Sequence, residues 1–178
     1  MRTDRTARRR FLGQTAGVGL AASRFDRTAF DALDAAAWDR AMAVDLDASF
    51  HCAHAAVPHL RRAGGGHIVL FSDWVAASGR PRYRGYLAYY VAKRAAAALG
   101  EALALELAPH GIQVHVIAPG PIVPAAGSTA KDEAAVLAAT PLGRWGGEDE
   151  VARLVVALVA SSFVTGETVR IDGGRHLA

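Results

Sequence analysis

Cysteine and lysine are scarce in this sequence, and each shortage narrows its chemistry. Its 178 residues include a single cysteine, Cys52, so neither a disulfide framework nor a cysteine-built zinc site is available. No uncharged apolar run approaches the roughly 18 residues that a membrane-spanning helix needs. Excess positive charge is also missing from the body of the chain. The formal charge of +3 comes from Arg2, Arg5, Arg8, Arg9 and Arg10 set against Asp4, while the other 168 residues hold 15 basic and 16 acidic side chains. Nothing in that balance calls for nucleic acid as a partner. Lysine occurs only at Lys93 and Lys131. With 52% hydrophobic residues, the length suits one domain with a sizeable core.

Apolar residues recur at three-four spacing from Ala35 to Arg62, through Trp38, Met42, Leu46, Phe50, Ala53, Val57 and Leu60, which predicts a helix with Pro58 tightening its last turn. Gly64-Gly65-Gly66 ends it as a turn; no Lys-Ser/Thr follows to make a phosphate loop. Ile68–Phe71 is short and wholly apolar, a buried strand of the kind found in parallel sheets. Residues 73–86 read as a loop. Leu87–Ala108 reads as a long alanine- and leucine-rich helix stopped by Pro109 and Gly111. A second apolar strand, Ile112–Ala118, closes on Pro119-Gly120-Pro121. Helices near Lys131–Ala139 and over Glu148–Ala160 follow, then a last strand over Glu167–Ile171. Helices alternating with short apolar strands predict an α/β fold with a parallel sheet.

Tyr89 and Lys93 lie four residues apart at the start of the long helix, so both project from one face. A phenol ionises near pH ~10 and an ammonium near ~10.4, so neither alone is a useful acid at neutral pH. A fixed ammonium beside the phenol would favour the phenolate and make the tyrosine a competent proton donor. Tyr90 and Arg94 share the spacing, but arginine does not deprotonate, and that pair reads as structural.

Tyr89-Tyr90-Val91-Ala92-Lys93 resembles the Tyr-x-x-x-Lys signature of the short-chain dehydrogenase/reductase family. Further segments agree in order from about Ala21 to Gly174. Trp38–Phe50 resembles the helix before the family's central strand, His67–Ser72 that strand, and Ala118-Pro119-Gly120-Pro121-Ile122 the loop over the nicotinamide. Pro141–Trp145 and Thr165-Gly166 through Asp172-Gly173-Gly174 resemble the C-terminal signatures. The resemblance implies a Rossmann-type parallel sheet with flanking helices and NAD or NADP as cofactor. It also implies hydride transfer to or from a carbonyl, alcohol or imine of a small-molecule substrate. Tyr89 would then be the acid/base, and Lys93 its modulator and ribose contact. Pro119, Gly120 and Ile122 would lie at the cofactor, with no metal involved.

Four departures shape the expected site. The family usually has a serine at the end of the central strand, whereas this strand ends Phe71-Ser72-Asp73-Trp74. Asp73 takes the place of that serine, as in pteridine reductase-like members, with Ser72 and Ser78 as further candidates. An aspartate can orient or protonate a nitrogen heterocycle, and can equally cap a loop. Asp45 stands where the family's structural asparagine lies, His115 replaces another asparagine, and Pro124 replaces the threonine after the Pro-Gly loop.

Most of the first mononucleotide-binding half is not apparent. Gly13-x-x-x-Gly17-x-Gly19 has the spacing of a cofactor glycine motif, but Arg8-Arg9-Arg10 stand where an apolar strand should precede it. Leu20-Ala21-Ala22-Ser23 reads as a degraded form of the Asn-Asn-Ala-Gly that ends the family's fourth strand. Residues 1–20 are thus expected to be a basic and apolar head, and 21–178 the C-terminal part of the Rossmann-type domain. The head also resembles a twin-arginine export signal, set against a cytoplasmic location favoured by the cofactor pool. A chain altered or truncated at its start would be a silent fragment, an oligomerisation or interaction module. The family commonly forms homodimers or homotetramers through its two long helices, which would cover their apolar faces. His51, Cys52, His54 and His59 lack a carboxylate at metal-ligand spacing and read as helix packing.

Overall fold

A computed structural model describes residues 27–79 and 81–178, together with the backbone of residues 15–17. Four strands form one sheet in the order β1-β2-β3-β4: β1 (Thr15–Gly17), β2 (Gly66–Phe71), β3 (Ile112–Pro119) and β4 (Thr168–Ile171). All three pairings are parallel, with Ala16 opposite Ile68, Ile68 opposite Val114 and Ile117 opposite Val169. Parallel strands need crossovers, and helices supply them. The α/β class expected from the alternation, and the Rossmann-type sheet implied by the resemblance, are what the chain forms.

Connecting β2 to β3 are α3 (Trp74–Ala77) and the long α4 (Leu87–Leu107), while α5 (Ala130–Ala138) and α6 (Glu148–Ala160) lie between β3 and β4. Before β2, the predicted helix over 35–62 runs as α1 (Ala35–Met42), a π-helical turn (Ala43–Asp47) and α2 (Ala48–Arg62). Pro58 sits inside α2 without ending it, and the irregularity falls instead at the π turn. The one extra residue in that turn carries Asp45 into the interior, where it is 2% exposed.

The core has two parts, one on each face of the sheet. Ile68, Leu70, Val114 and Val116 meet Ala53 and Leu60 of α2 and Ala97, Ala104 and Leu107 of α4. Val69 and Ile117 meet Leu158 and Val159 of α6. The face of α4 toward the sheet is built from small residues, among them Ala92, Ala96, Gly100 and Ala104, which let the helix lie close to it. At Gly100 a Cβ would come 2.2 Å from Val116 Cγ2 and 3.7 Å from Leu70 Cδ1. Val116 is fully buried and has nowhere to withdraw. Gly100→Val is expected to destabilise the fold by about 1–3 kcal/mol, more than the few tenths of a kcal/mol that helix propensity returns. Urea unfolding of the variant checks this, and a stability equal to the parent's would refute the close packing.

At the front of the chain, β1 falls within the segment expected to be the head, and Thr15-Ala16-Gly17 supplies a strand beside the central one. Gly17, one of the candidate cofactor glycines, is part of a ladder, opposite Val69. Gly13, Gly19, the arginine run and Leu20–Ser23 lie outside the described residues.

Candidate active site

In an open parallel sheet, ligands bind in the crevice beyond the carboxyl ends of the strands. Two such ends lie side by side here: β2 runs out at Phe71, paired with Ile117, and β3 at Pro119, paired with Ile171. From β2 the chain enters α3, a helix that the sequence reading took for loop. Asp73 is its N-cap, and the carboxylate Oδ1 accepts from the Val75 backbone N–H at 2.7 Å. Its other oxygen, Oδ2, accepts from the Tyr89 hydroxyl at 3.1 Å. One side chain thus caps the helix and meets the Tyr89 hydroxyl.

Tyr89 and Lys93 occupy successive turns of α4, as their spacing predicts. The Lys93 ammonium lies 5.7 Å from the centroid of the Tyr89 ring. It donates to the Phe71 carbonyl at 3.4 Å and forms an ion pair with Asp45 Oδ1 at 3.1 Å. The lysine side chain is 14% exposed and that of Asp45 wholly buried. The ammonium therefore reaches the strand end, but its charge is already matched.

The electrostatics differ from the sequence expectation. The Tyr89 phenol is pushed well above the ordinary tyrosine range, first by burial, then by the charge of Asp73 and its hydrogen bond, and finally by the charge of Asp45. Burial also raises Asp73 above the usual carboxylate range, against the pull of the Val75, Tyr89 and Ala76 hydrogen bonds and of Lys93. In this geometry Tyr89 is a firmly neutral phenol. The lowering that a lysine neighbour would bring does not prevail.

Ser72 is 5% exposed, and its hydroxyl donates to the Lys93 carbonyl at 2.8 Å, tying the end of β2 to α4. Ser78 donates to the Trp74 carbonyl at 2.6 Å, a bond within its own turn. Neither hydroxyl is directed at Tyr89. Arg94 donates to the Ala76 carbonyl at 3.0 Å, a structural bond. Pro119, Gly120 and Ile122 hold the rim beyond β3. The Gly120 N–H donates to the Ile171 carbonyl at 3.0 Å, and a Cβ there would come 2.5 Å from Asp172 Cβ. Ile122 is fixed through its carbonyl, which accepts from Gly147 at 2.8 Å.

An open cleft in front of the tyrosine is lined by Asp73, Trp74, Arg82, Tyr83, Tyr86 and Tyr89. Sequence reasoning missed Trp74, Arg82, Tyr83 and Tyr86, although four tyrosines within residues 83–90 were a signal for an aromatic wall. Arg82 and Arg175 each stack on Trp74, 5.4 Å from its ring centroid. Arg82 also donates to the backbone oxygens of His176 and Ala178, which tie its guanidinium to the last residues. Among the described residues, no three His, Cys, Asp or Glu side chains gather as a metal site.

In sequence and fold the chain is similar to known reductases and dehydrogenases. A family model described as enoyl-(acyl carrier protein) reductase matches residues 6–176. Short-chain reductase protein NovJ of Streptomyces niveus is 39% identical over 149 residues, covering 78% of this chain and 55% of its own length. A 3-oxoacyl-[acyl-carrier-protein] reductase, FabG, of Staphylococcus aureus is 32% identical over 144 residues, covering 79% and 57%. The crystal structure of FolM alternative dihydrofolate reductase 1 from Brucella canis, complexed with NADP, superposes with a TM-score of 0.81 at 30% identity. That superposition covers 92% of this chain and 63% of the reductase. The chain thus spans little more than half the length of the curated relatives it matches. With Tyr89, Lys93 and Asp73 gathered at the carboxyl end of the central strands, and the match running through nearly the whole sequence, the chain belongs to the short-chain dehydrogenase/reductase family.

Proposed function

We propose that the chain carries the catalytic part of an oxidoreductase that moves a hydride between NAD or NADP and a carbonyl, alcohol or imine of a small molecule. The observation that carries this reading is the Tyr89 hydroxyl at 3.1 Å from Asp73 Oδ2, one helical turn from Lys93 and beside the open cleft. The donor set suits the nicotinamide end of such a cofactor, because an ammonium and a phenol share one helix face at a strand terminus and ribose hydroxyls accept from both. For the pyrophosphate end, no strand, glycine turn and helix N-terminus adjoin β1 among the described residues.

When bound, the reduced cofactor supplies the hydride that forms the new C–H bond. This chain's residues manage the proton. As the carbonyl π pair moves onto oxygen, the Tyr89 O–H bond breaks and its proton passes to that oxygen. Asp73 orients the phenol through Oδ2 and is itself held by the Val75 N–H. Lys93 would offer its ammonium to the ribose, and Pro119, Gly120 and Ile122 would bound the crevice on the β3 side. Trp74, Tyr83 and Tyr86 give the cleft an aromatic wall against which the substrate would pack.

Leu105 (80% exposed), Phe50 (44%) and Leu87 (42%) lie on α4 and α2 and suit self-association through these two helices, giving a homodimer or homotetramer. No helix among the described residues is long and apolar enough to cross a membrane. We place the protein in the cytoplasm, where the cofactor pool is, in preference to export by the twin-arginine-like stretch. Calorimetric titration with NADH and NADPH tests the central reading, with binding of one of them expected at or below millimolar concentration. No binding of either at that level would sink the oxidoreductase reading and leave an interaction module built on α2 and α4.

A further inference from the structure

Asp45 is the residue of the site whose role is not yet accounted for. It is carried inward by the π turn, its side chain has no exposed surface, and its Oδ1 faces Lys93 Nζ at 3.1 Å. Among the described residues, neither carboxylate oxygen has a hydrogen bond beyond that ion pair. A carboxylate so buried is costly unless a charge is held against it, and Lys93 is that charge. Removing either partner alone strands the other, so the pair constrains where the ammonium sits.

The charged groups that face the Tyr89 phenol can be named element by element. From the β2–α3 junction comes Asp73, in direct contact; from the π turn, Asp45; from α4 itself, Lys93. Across the cleft Arg82 is occupied by the backbone carbonyls of His176 and Ala178 and by the Trp74 ring. Among the described residues, two carboxylates thus stand against one ammonium near the phenol, and one of the carboxylates holds that ammonium. An ammonium neutralised at contact distance has little field left for a phenol several ångströms away.

We propose that Asp45 is a positioning residue: as the buried counter-ion of Lys93 it takes the ammonium's charge away from Tyr89, which sets the site to donate a proton in reduction and not to accept one in alcohol oxidation. This rests on the reading of Tyr89 as the acid and adds which direction the site favours. In reduction the neutral phenol would give its proton to the substrate oxygen. The reverse needs a phenolate, which two carboxylates disfavour. The rise of the Tyr89 phenol, to which the charge of Asp45 contributes, is consistent with this.

The test reads the phenol directly and needs neither cofactor nor turnover. Alkaline titration of the tyrosinate ultraviolet absorbance, with the Tyr89→Phe trace subtracted, isolates Tyr89 in the parent and in Asp45→Asn, each with Tyr89→Phe as its reference. Freeing Lys93 is expected to lower the Tyr89 midpoint by about one pH unit or more. An unchanged midpoint in a folded Asp45→Asn protein would overturn the proposal. Should that variant not fold, the parent decides the matter: ionisation of Tyr89 below the ordinary ~10 overturns it, and ionisation above the other tyrosines supports it. A chain that binds no cofactor still gives this readout, so failure of the oxidoreductase reading and failure of the Asp45 role are told apart.

Discussion

Tyr89→Phe is expected to cut reductive turnover by about 10²–10⁴-fold, the contribution of a positioned general acid, which corresponds to about 3–5 kcal/mol of lost transition-state stabilisation. The substitution removes one oxygen and leaves the ring, so the packing at the start of α4 and the position of Lys93 should persist. Cofactor affinity should therefore change by no more than a few-fold. A second consequence follows from the hydrogen bond to Asp73 Oδ2. That bond is among the influences holding the Asp73 carboxyl down against its burial, so its loss moves Asp73 further up. The residual activity of the variant should fall as pH is raised through the Asp73 ionisation, because the protonated carboxyl is the remaining proton donor beside the substrate. Nicotinamide absorbance under single-turnover conditions, with a panel of small ketones and cyclic imines, measures the loss, and calorimetry measures the affinity. Turnover within three-fold of the parent would remove Tyr89 from the mechanism. A parallel collapse of cofactor affinity would instead make it a binding residue.

What the sequence made legible was whatever depends on spacing along one element. Tyr89 and Lys93 share a helix face because four residues make about one turn, and the strands β2, β3 and β4 follow from short apolar runs between helices. Asp73 was legible as a cap and as a neighbour of the Tyr89 hydroxyl, and it makes both contacts because a carboxylate has two oxygens. Contacts between elements were another matter. The Asp45–Lys93 pair joins residues far apart in sequence and depends on a π turn that no propensity marks, since Ala43–Asp47 is ordinary helical sequence with one residue added to a turn. Ser72 looked like a catalytic hydroxyl because it ends the central strand; only the approach of α4 shows that the Lys93 carbonyl claims it. The strand at Thr15–Gly17 was missed because a three-residue edge strand carries too little pattern to compete with the glycines around it.

The histidines of the sheet make the other large prediction: stability should fall steeply as pH drops from about 6.5 toward 4. His67 on β2 and His115 on β3 are 2% and 0% exposed, with Nδ1 of the first 3.1 Å from Nε2 of the second. At that distance one neutral ring donates and the other accepts, an arrangement that a proton on each ring would break. His115 Nδ1 has no partner among the described residues, so a charge placed there would go uncompensated. Burial lowers His67, and burial followed by the proximity of His67 lowers His115 to about 4. Both rings therefore stay neutral in the folded chain across a range in which the unfolded chain protonates them. Their contribution is complete above the unfolded value near 6.5 and is lost as pH falls toward the folded values. Each proton taken up only on unfolding lowers stability by at most about 1.4 kcal/mol per pH unit. Asp73 works the other way, since its raised carboxyl takes up a proton in the folded state. One such group offsets at most one histidine, so the net slope keeps its sign. Urea unfolding of the parent at a series of pH values, compared with His67→Leu/His115→Leu, measures the effect. The double variant should lose much less stability across that interval, and an equally steep fall in both proteins would show that the pair is not its source.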